Sequence, residues 1–216
     1  MSKMNPFTKD YYENGPSSGL SNYIDYHWMP DTTNALAFRL RQLLRIRKNG
    51  RVLEIGCAKG FLVHSMRFAC ELDAHGYDIS EYAVQNCHPM AKGYVSNTLS
   101  ITPCEWDWVI GKDTLEHIPS DELHDLIPRL ADSASGGMFF IVPLVDDRKI
   151  YLRPEDEADS THQIRWNLID WMSFFHQMCP QFDVSGSWCI KGMKPGAEQV
   201  HKSTGFFTLT RSMTPQ

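Results

Sequence analysis

The chain has no run approaching the roughly 18 apolar residues of a membrane span, and its first residues lack the apolar core of an export signal. A membrane role is therefore not expected. It also lacks an excess of positive charge: 21 Lys and Arg stand against 26 Asp and Glu, a net charge of −5. Neutralising phosphates needs clustered basic groups, so nucleic acid is not an expected partner. The one basic cluster, Arg39 to Arg51, lies around a predicted helix and reads as a solvated face. No C-x-x-C pair and no zinc-finger spacing occurs among Cys57, Cys70, Cys87, Cys104, Cys179 and Cys189. Reduced thiols in a cytoplasm are the simplest expectation. Internal repeats and low-complexity tracts are absent as well. What remains is 216 residues with 42% hydrophobic and 22% charged side chains, the composition of one globular domain with a real core.

The stretch from Arg51 to Asp78 organises that domain. Val52, Leu53 and Ile55 read as a buried strand, broken by Gly56. Gly56, Ala58 and Gly60 are three small residues in one turn, where the backbone can take positive φ and let a ligand approach. From Phe61 the apolar residues Leu62, Met66, Ala69 and Leu72 follow the spacing of one helix face. A helix N-terminus beyond such a turn offers unpaired N–H groups to an anionic group. A second strand, Leu72 to Tyr77, then ends in Asp78, placed to accept from ribose hydroxyls in a nucleotide-binding β-α-β unit.

A dinucleotide turn requires a small residue where this chain has Phe61. The spacing Glu54-x-Gly56-x-Ala58-x-Gly60 resembles instead motif I of the class I S-adenosylmethionine (SAM)-dependent methyltransferases, E/D-x-G-x-G-x-G, with Ala58 in place of the middle glycine. The stretch WDWVIGKDTLEHIPSDEL after a predicted fourth strand resembles that family's second signature. The resemblance covers about residues 35 to 210. It implies an α/β fold, a three-layer α-β-α sandwich around a seven-stranded, mostly parallel, doubly wound sheet ending in a C-terminal antiparallel pair. It implies SAM as cofactor, leaving as S-adenosylhomocysteine. The expected cofactor contacts are Glu54, Gly56, Cys57, Ala58, Gly60, Asp78, Ile79, Asn97, Lys112 and Asp113.

The acceptor side is less defined. Residues 1–30 carry five Tyr or Trp without a clear period and read as an aromatic flap, or lid, over a methyltransferase domain spanning residues 31–211. Tyr23, Tyr26 and His27 are its candidate substrate contacts. Residues 144–166 form a long charged loop leaving the fifth strand, a place where loops are functional or mobile. His162 in STHQIRW resembles the family's D-x-x-H element and is the favoured base for a hydroxyl acceptor; His117 in LEHI is the second candidate. Thr161, Gln163, Arg165 and Trp166 flank it, a mix able to grip a polar or sugar-like acceptor, with Arg165 and Trp166 as the candidate contacts. Asp113, Asp146 and Asp147 raise the question of magnesium, but the pair falls late in the loop and reads as solvated charge, so no metal is expected. The N/D-P-P-Y/F signature of amino-methylating nucleic-acid enzymes is missing after the fourth strand. The expected function is therefore O-methylation of a sugar or other small metabolite. N- or carboxyl-methylation of a metabolite is the alternative, with a non-catalytic SAM-binding subunit as the rival.

Overall fold

The computed structural model describes residues 5–190, 193–194 and 202–212. Strands β1 (Arg51–Ile55), β2 (Asp73–Tyr77), β3 (Val95–Ser96), β4 (Trp106–Lys112), β5 (Ala134–Pro143), β6 (Phe182–Ser187) and β7 (Thr204–Arg211) form one sheet in the order β3-β2-β1-β4-β5-β7-β6. The first five run parallel, and β7 lies antiparallel between β5 and β6. This is the doubly wound sheet with an antiparallel end that the sequence implied.

Alternation along the strands makes both faces apolar, because neighbouring side chains point to opposite sides. Val52, Ile110, Phe139 and Ile141 pack with Leu36 and Leu40 of α3 (Pro30–Leu43) and with Leu62, Val63 and Met66 of α4 (Phe61–Phe68). Leu53, Ile55, Val109, Phe140 and Val142 pack with Leu123 and Ile127 of α6 (Ser120–Ser133) and with Trp171, Phe174 and Phe175 of α8 (Leu168–Met178). Phe140 stacks on Phe175 with ring centroids 5.4 Å apart, and Trp171 is fully buried beside them. Truncating such an aromatic residue costs about 3–5 kcal/mol. Among the described residues, no helix is long and apolar enough to cross a membrane.

Several boundaries differ from expectation for local reasons. Helix α3 starts at Pro30 rather than being capped by Asp31 or Thr32, since proline lacks an N–H and suits the first helical position. It ends at Leu43, and Arg45 turns left-handed at φ 51°, ahead of Asn49-Gly50. Ser120 is the first residue of α6 and caps nothing through its side chain, whereas the Ser80 hydroxyl does accept the Ala83 N–H of α5 (Glu81–Gln85). The third strand is only Val95–Ser96, with Pro89–Ala91 wound as a 3-10 turn before it.

The N-terminal stretch, whose residues 1–4 lie outside the described residues, is not without regular structure. It contains α1 (Lys9–Glu13) and α2 (Gly15–Ser18) and is pinned across the C-terminal ends of the strands. The Ser80 hydroxyl donates to the Phe7 carbonyl at 2.5 Å, and Lys59 reaches both the Glu13 carboxylate (2.5 Å) and the Tyr26 carbonyl (2.8 Å). On the other side the Ser160 N–H donates to the Leu20 carbonyl at 3.2 Å. The loop after β5 holds its own helix, α7 (Pro154–Glu157), so it is not wholly irregular.

Candidate active site

Residues Ile55, Tyr77 and Gly111 are register partners at the ends of β1, β2 and β4. The chain therefore delivers Gly56, Asp78 and Lys112 to one crevice, at the point where the strand order reverses. The turn after β1 is tied to β2, with the Gly56 and Cys57 N–H groups donating to the Tyr77 carbonyl at 2.8 and 3.1 Å. Gly56 (φ 71°) and Gly60 (φ 69°) take left-handed conformations, and a Cβ at Gly60 would stand 2.7 Å from Val95. Ala58 also lies in that region at φ 47°, so the methyl group at the middle position carries backbone strain.

Asp78 organises this side. Its carboxylate accepts the Ala58 N–H at 2.6 Å and the Ser80 N–H at 2.8 Å, joining the turn to the start of α5. Burial raises its pKa while these two N–H groups oppose the rise. Each carboxylate oxygen can still accept a further bond, and Asp78 lines a cavity of about 860 Å³. That volume is within the range of ligand pockets, about 300–1,000 Å³. Gly56, Ala58 and Ile79 line it as well, and Leu99, which the sequence did not single out, supplies an apolar wall.

Other expected cofactor contacts stand elsewhere. Glu54 lies beneath the turn, 5% exposed, with Oε2 unpartnered; burial pushes its carboxyl up to about 8 against the pull of the Lys112 ammonium. Cys57 is buried against Gly76 on the inner side of the turn. Gly60 acts as the N-cap of α4 and supports the turn without lining the cavity. Asn97 is exposed and does not line it either, although β3 ends level with β2, Ser96 pairing with Tyr77.

On the β4 side Lys112 and Asp113 do line the cavity. Burial would raise the Asp113 carboxyl, but the ammonium groups of Lys112 (2.6 Å) and Lys194 (2.5 Å) hold it well below the usual carboxylate range. Tyr11, Tyr12, Tyr23 and Tyr26 form the roof, packed edge to face or stacked on one another. The Tyr11 hydroxyl crosses to the loop after β5 and donates to Asp159 Oδ2 at 3.0 Å.

Asp159 also accepts the Thr161 N–H (2.9 Å) and the Thr161 hydroxyl (2.5 Å). With its single hydrogen so committed, Thr161 Oγ1 can only accept from His117 Nδ1, 2.8 Å away. The His117 proton therefore sits on Nδ1, and Nε2 carries a lone pair. His117 lines the large cavity, whereas His162 lies behind it with ring centroids 4.6 Å apart and lines a side pocket of about 150 Å³. Burial lowers the pKa of both imidazoles and keeps them neutral near pH 7. Thr161 and Gln163, which flank His162, face the large cavity instead. Alternation of side chains along the loop sends these two to one side and His162 to the other.

Three expected acceptor contacts are corrected. His27 is exposed, with Nδ1 2.6 Å from the Asp25 carbonyl oxygen, because the chain turns outward after Tyr26. Arg165 is paired with Glu157 at 2.7 Å and lies over the Tyr151 ring. Trp166 packs against Trp171 and Phe174 and belongs to the core. None of the three lines either cavity. Asp146 accepts within its own turn from Arg148 and Ile150, apart from Asp113.

A family model described as a methyltransferase domain matches residues 27–185. No curated protein sequence matches the chain significantly. Among solved structures, the complex of a Haloferax volcanii methyltransferase with the Trm112 methyltransferase activator aligns with TM-score 0.62 at 15% identity, over 85% of this chain and 92% of that one. A SAM-dependent methyltransferase from Archaeoglobus fulgidus gives 0.60 at 16%, over 83% and 94%. The magnesium protoporphyrin IX methyltransferase of Synechocystis, solved with S-adenosylhomocysteine, gives 0.58 at 16%, over 84% and 83%.

Proposed function

We propose, since the chain belongs to the class I SAM-dependent methyltransferases and uses SAM, that its methyl acceptor is a hydroxyl group of a small metabolite. The observation that carries this reading is the single cavity that runs from Asp78 to His117 beneath the tyrosine roof. Asp78 and the Gly56–Ala58 backbone would hold the ribose and amino-acid parts of the cofactor, with Leu99 and Ile79 beside the base. The methyl would then point to the β4 side, where His117, Thr161 and Gln163 stand.

Methyl transfer is an in-line displacement whose reactivity comes from the sulfonium, and the protein supplies alignment, worth on the order of 7–11 kcal/mol. The His117 Nε2 lone pair suits an acceptor that brings its own hydrogen, as a hydroxyl does. The pinned flap acts as a lid that limits the acceptor to small molecules such as a sugar. The six thiols, none in a disulfide, suit the reducing cytoplasm.

The test is to measure SAM and S-adenosylhomocysteine binding by calorimetry, then to screen pools of hydroxylated, amino and carboxylic metabolites for S-adenosylhomocysteine release. Turnover confined to amines or acids would overturn the hydroxyl reading. SAM binding without turnover on any pool would favour a non-catalytic subunit.

A further inference from the structure

We propose that Glu116, His117 and His162 form a binding site for one divalent first-row transition ion, at the junction of the large cavity and the side pocket. One ligand atom from each residue lies within 4.8 Å of the other two. Glu116 is 1% exposed, and neither of its carboxylate oxygens has a hydrogen-bond partner. His162 Nδ1 is buried and unpartnered too. Leaving three such atoms unmade in one place is costly, on the order of 1–3 kcal/mol each and more for a charged group. One cation would satisfy all three.

The surroundings fit a ligand set rather than a chance cluster. The Glu116 carbonyl accepts the Gln163 and Ile164 N–H groups at 2.7 and 3.0 Å, which clamps the loop bearing His162 onto the turn bearing Glu116 and His117. The Asp159–Thr161–His117 chain fixes the tautomer that leaves Nε2 free, the usual outer support of a metal-bound imidazole. Nε2 stands 4.0 Å from Glu116 Oε1. Ligands about 2.0–2.2 Å from one ion lie roughly 3–3.5 Å apart, so a set at most 4.8 Å across closes when each ligand moves inward by up to about 1 Å. The pocket's field also favours a cation: Asp113, Glu116, Glu155, Asp156 and Asp159 line it against Arg153 and Lys194. Two imidazoles with one carboxylate select zinc, iron, cobalt or manganese over magnesium or calcium, and leave coordination positions open.

His117 lines both spaces, so an ion held there would stand at the wall shared with the large cavity. For its use, the site rests on the hydroxyl reading above. With an ion bound, His117 Nε2 is its ligand and no longer an acceptor for the hydroxyl hydrogen; the ion instead polarises the acceptor oxygen, and the hydroxyl proton leaves to water. That oxygen then forms the C–O bond as the methyl C–S bond breaks, leaving the thioether S-adenosylhomocysteine.

The test loads chelator-stripped protein with Zn²⁺, Mn²⁺ or Co²⁺, dialyses it, and measures metal by mass spectrometry with SAM binding by calorimetry on the same samples. About one ion per chain is expected, with visible d–d bands for Co²⁺. Glu116→Gln and His162→Ala should each weaken metal binding by about tenfold or more while SAM binding persists. His162→Ala, on the loop, serves if the buried Glu116→Gln fails to fold. Wild-type protein that takes up no ion, or folded variants that bind it as tightly as wild type, would overturn the site. Metal uptake without SAM binding would uphold the site and remove the methyl-transfer reading instead.

Discussion

The two sides of the cavity are built in different ways. The β1–β2 side comes from one contiguous unit, Glu54 to Ser80, whose turn, strand end and capping serine bond mainly to one another. The β4 side is assembled from segments far apart in the chain: Tyr11 meets Asp159 across 148 positions, and His117 meets Thr161 across 44. A local unit carries its geometry wherever it folds. A side made of distant segments depends on each of them being docked. The cofactor end should therefore respond to single local changes, and the acceptor end to loss of docking contacts.

The largest expected effect tests the local side. Asp78→Ala removes the acceptor of two backbone N–H groups and of the proposed ribose hydroxyls, bonds to a charged group worth about 1.5–3 kcal/mol each. SAM affinity should fall at least about tenfold, and the melting temperature should fall with it because the turn loses its tie to α5. Unchanged SAM affinity in a folded Asp78→Ala protein would place the ribose contact elsewhere.

Next is the docked side. Tyr11→Phe removes the hydroxyl that donates to Asp159 and leaves the edge-to-face ring contacts in place. Stability should drop by about 1.5–3 kcal/mol. Acceptor turnover should fall while SAM affinity stays nearly constant, because Asp159 supports Thr161 and, through it, His117. A parallel loss of SAM affinity would show that the two sides are not separable.

The same contrast explains what the sequence revealed. The sheet was legible because apolar runs buried on both faces punctuate the chain, and the turn was legible because small residues at fixed spacing have few other uses. Glu54 and Cys57 sit in the motif yet point away from the cavity, since alternate residues of a strand and turn cannot all face one ligand. Tyr11 was missed because nothing local distinguishes it; its role comes from contacts across the chain. Arg165 and Trp166 were overread because charge and aromaticity in a loop equally serve an ion pair and a core.

The next effect concerns the layer under the turn. Glu54 titrates at about 8 in the folded protein against an ordinary 4.5, with burial as the main cause. Below pH 4.5 both states hold the proton. Between pH 4.5 and 8 only the folded state does, so wild-type stability declines across that window and levels off above it. Glu54→Gln removes this slope. Its stability should match wild type near pH 4 and exceed it increasingly toward pH 8, by an amount on the order of a few kcal/mol. A constant difference at every pH would mean that Glu54 is ionised and paired in the folded state.

The smallest effect lies at Ala58, the position where this chain departs from the three-glycine turn. At φ 47° an alanine carries about 1–2 kcal/mol of left-handed strain that glycine would not. Glycine in turn loses about 0.4–1 kcal/mol more entropy on folding. Ala58 also packs its methyl against the Tyr11, Tyr12 and Ala83 cluster, a contact that the substitution removes. The balance predicts that Ala58→Gly is stabilising by less than about 1 kcal/mol, a rise of about 2–4 °C or less in a domain of this size. SAM affinity should hold, because the Ala58 N–H and its bond to Asp78 remain. A lowered melting temperature would show that the methyl group does more by packing under the flap than it costs in strain. The departure from glycine would then belong to the docked side of the molecule rather than to the local one.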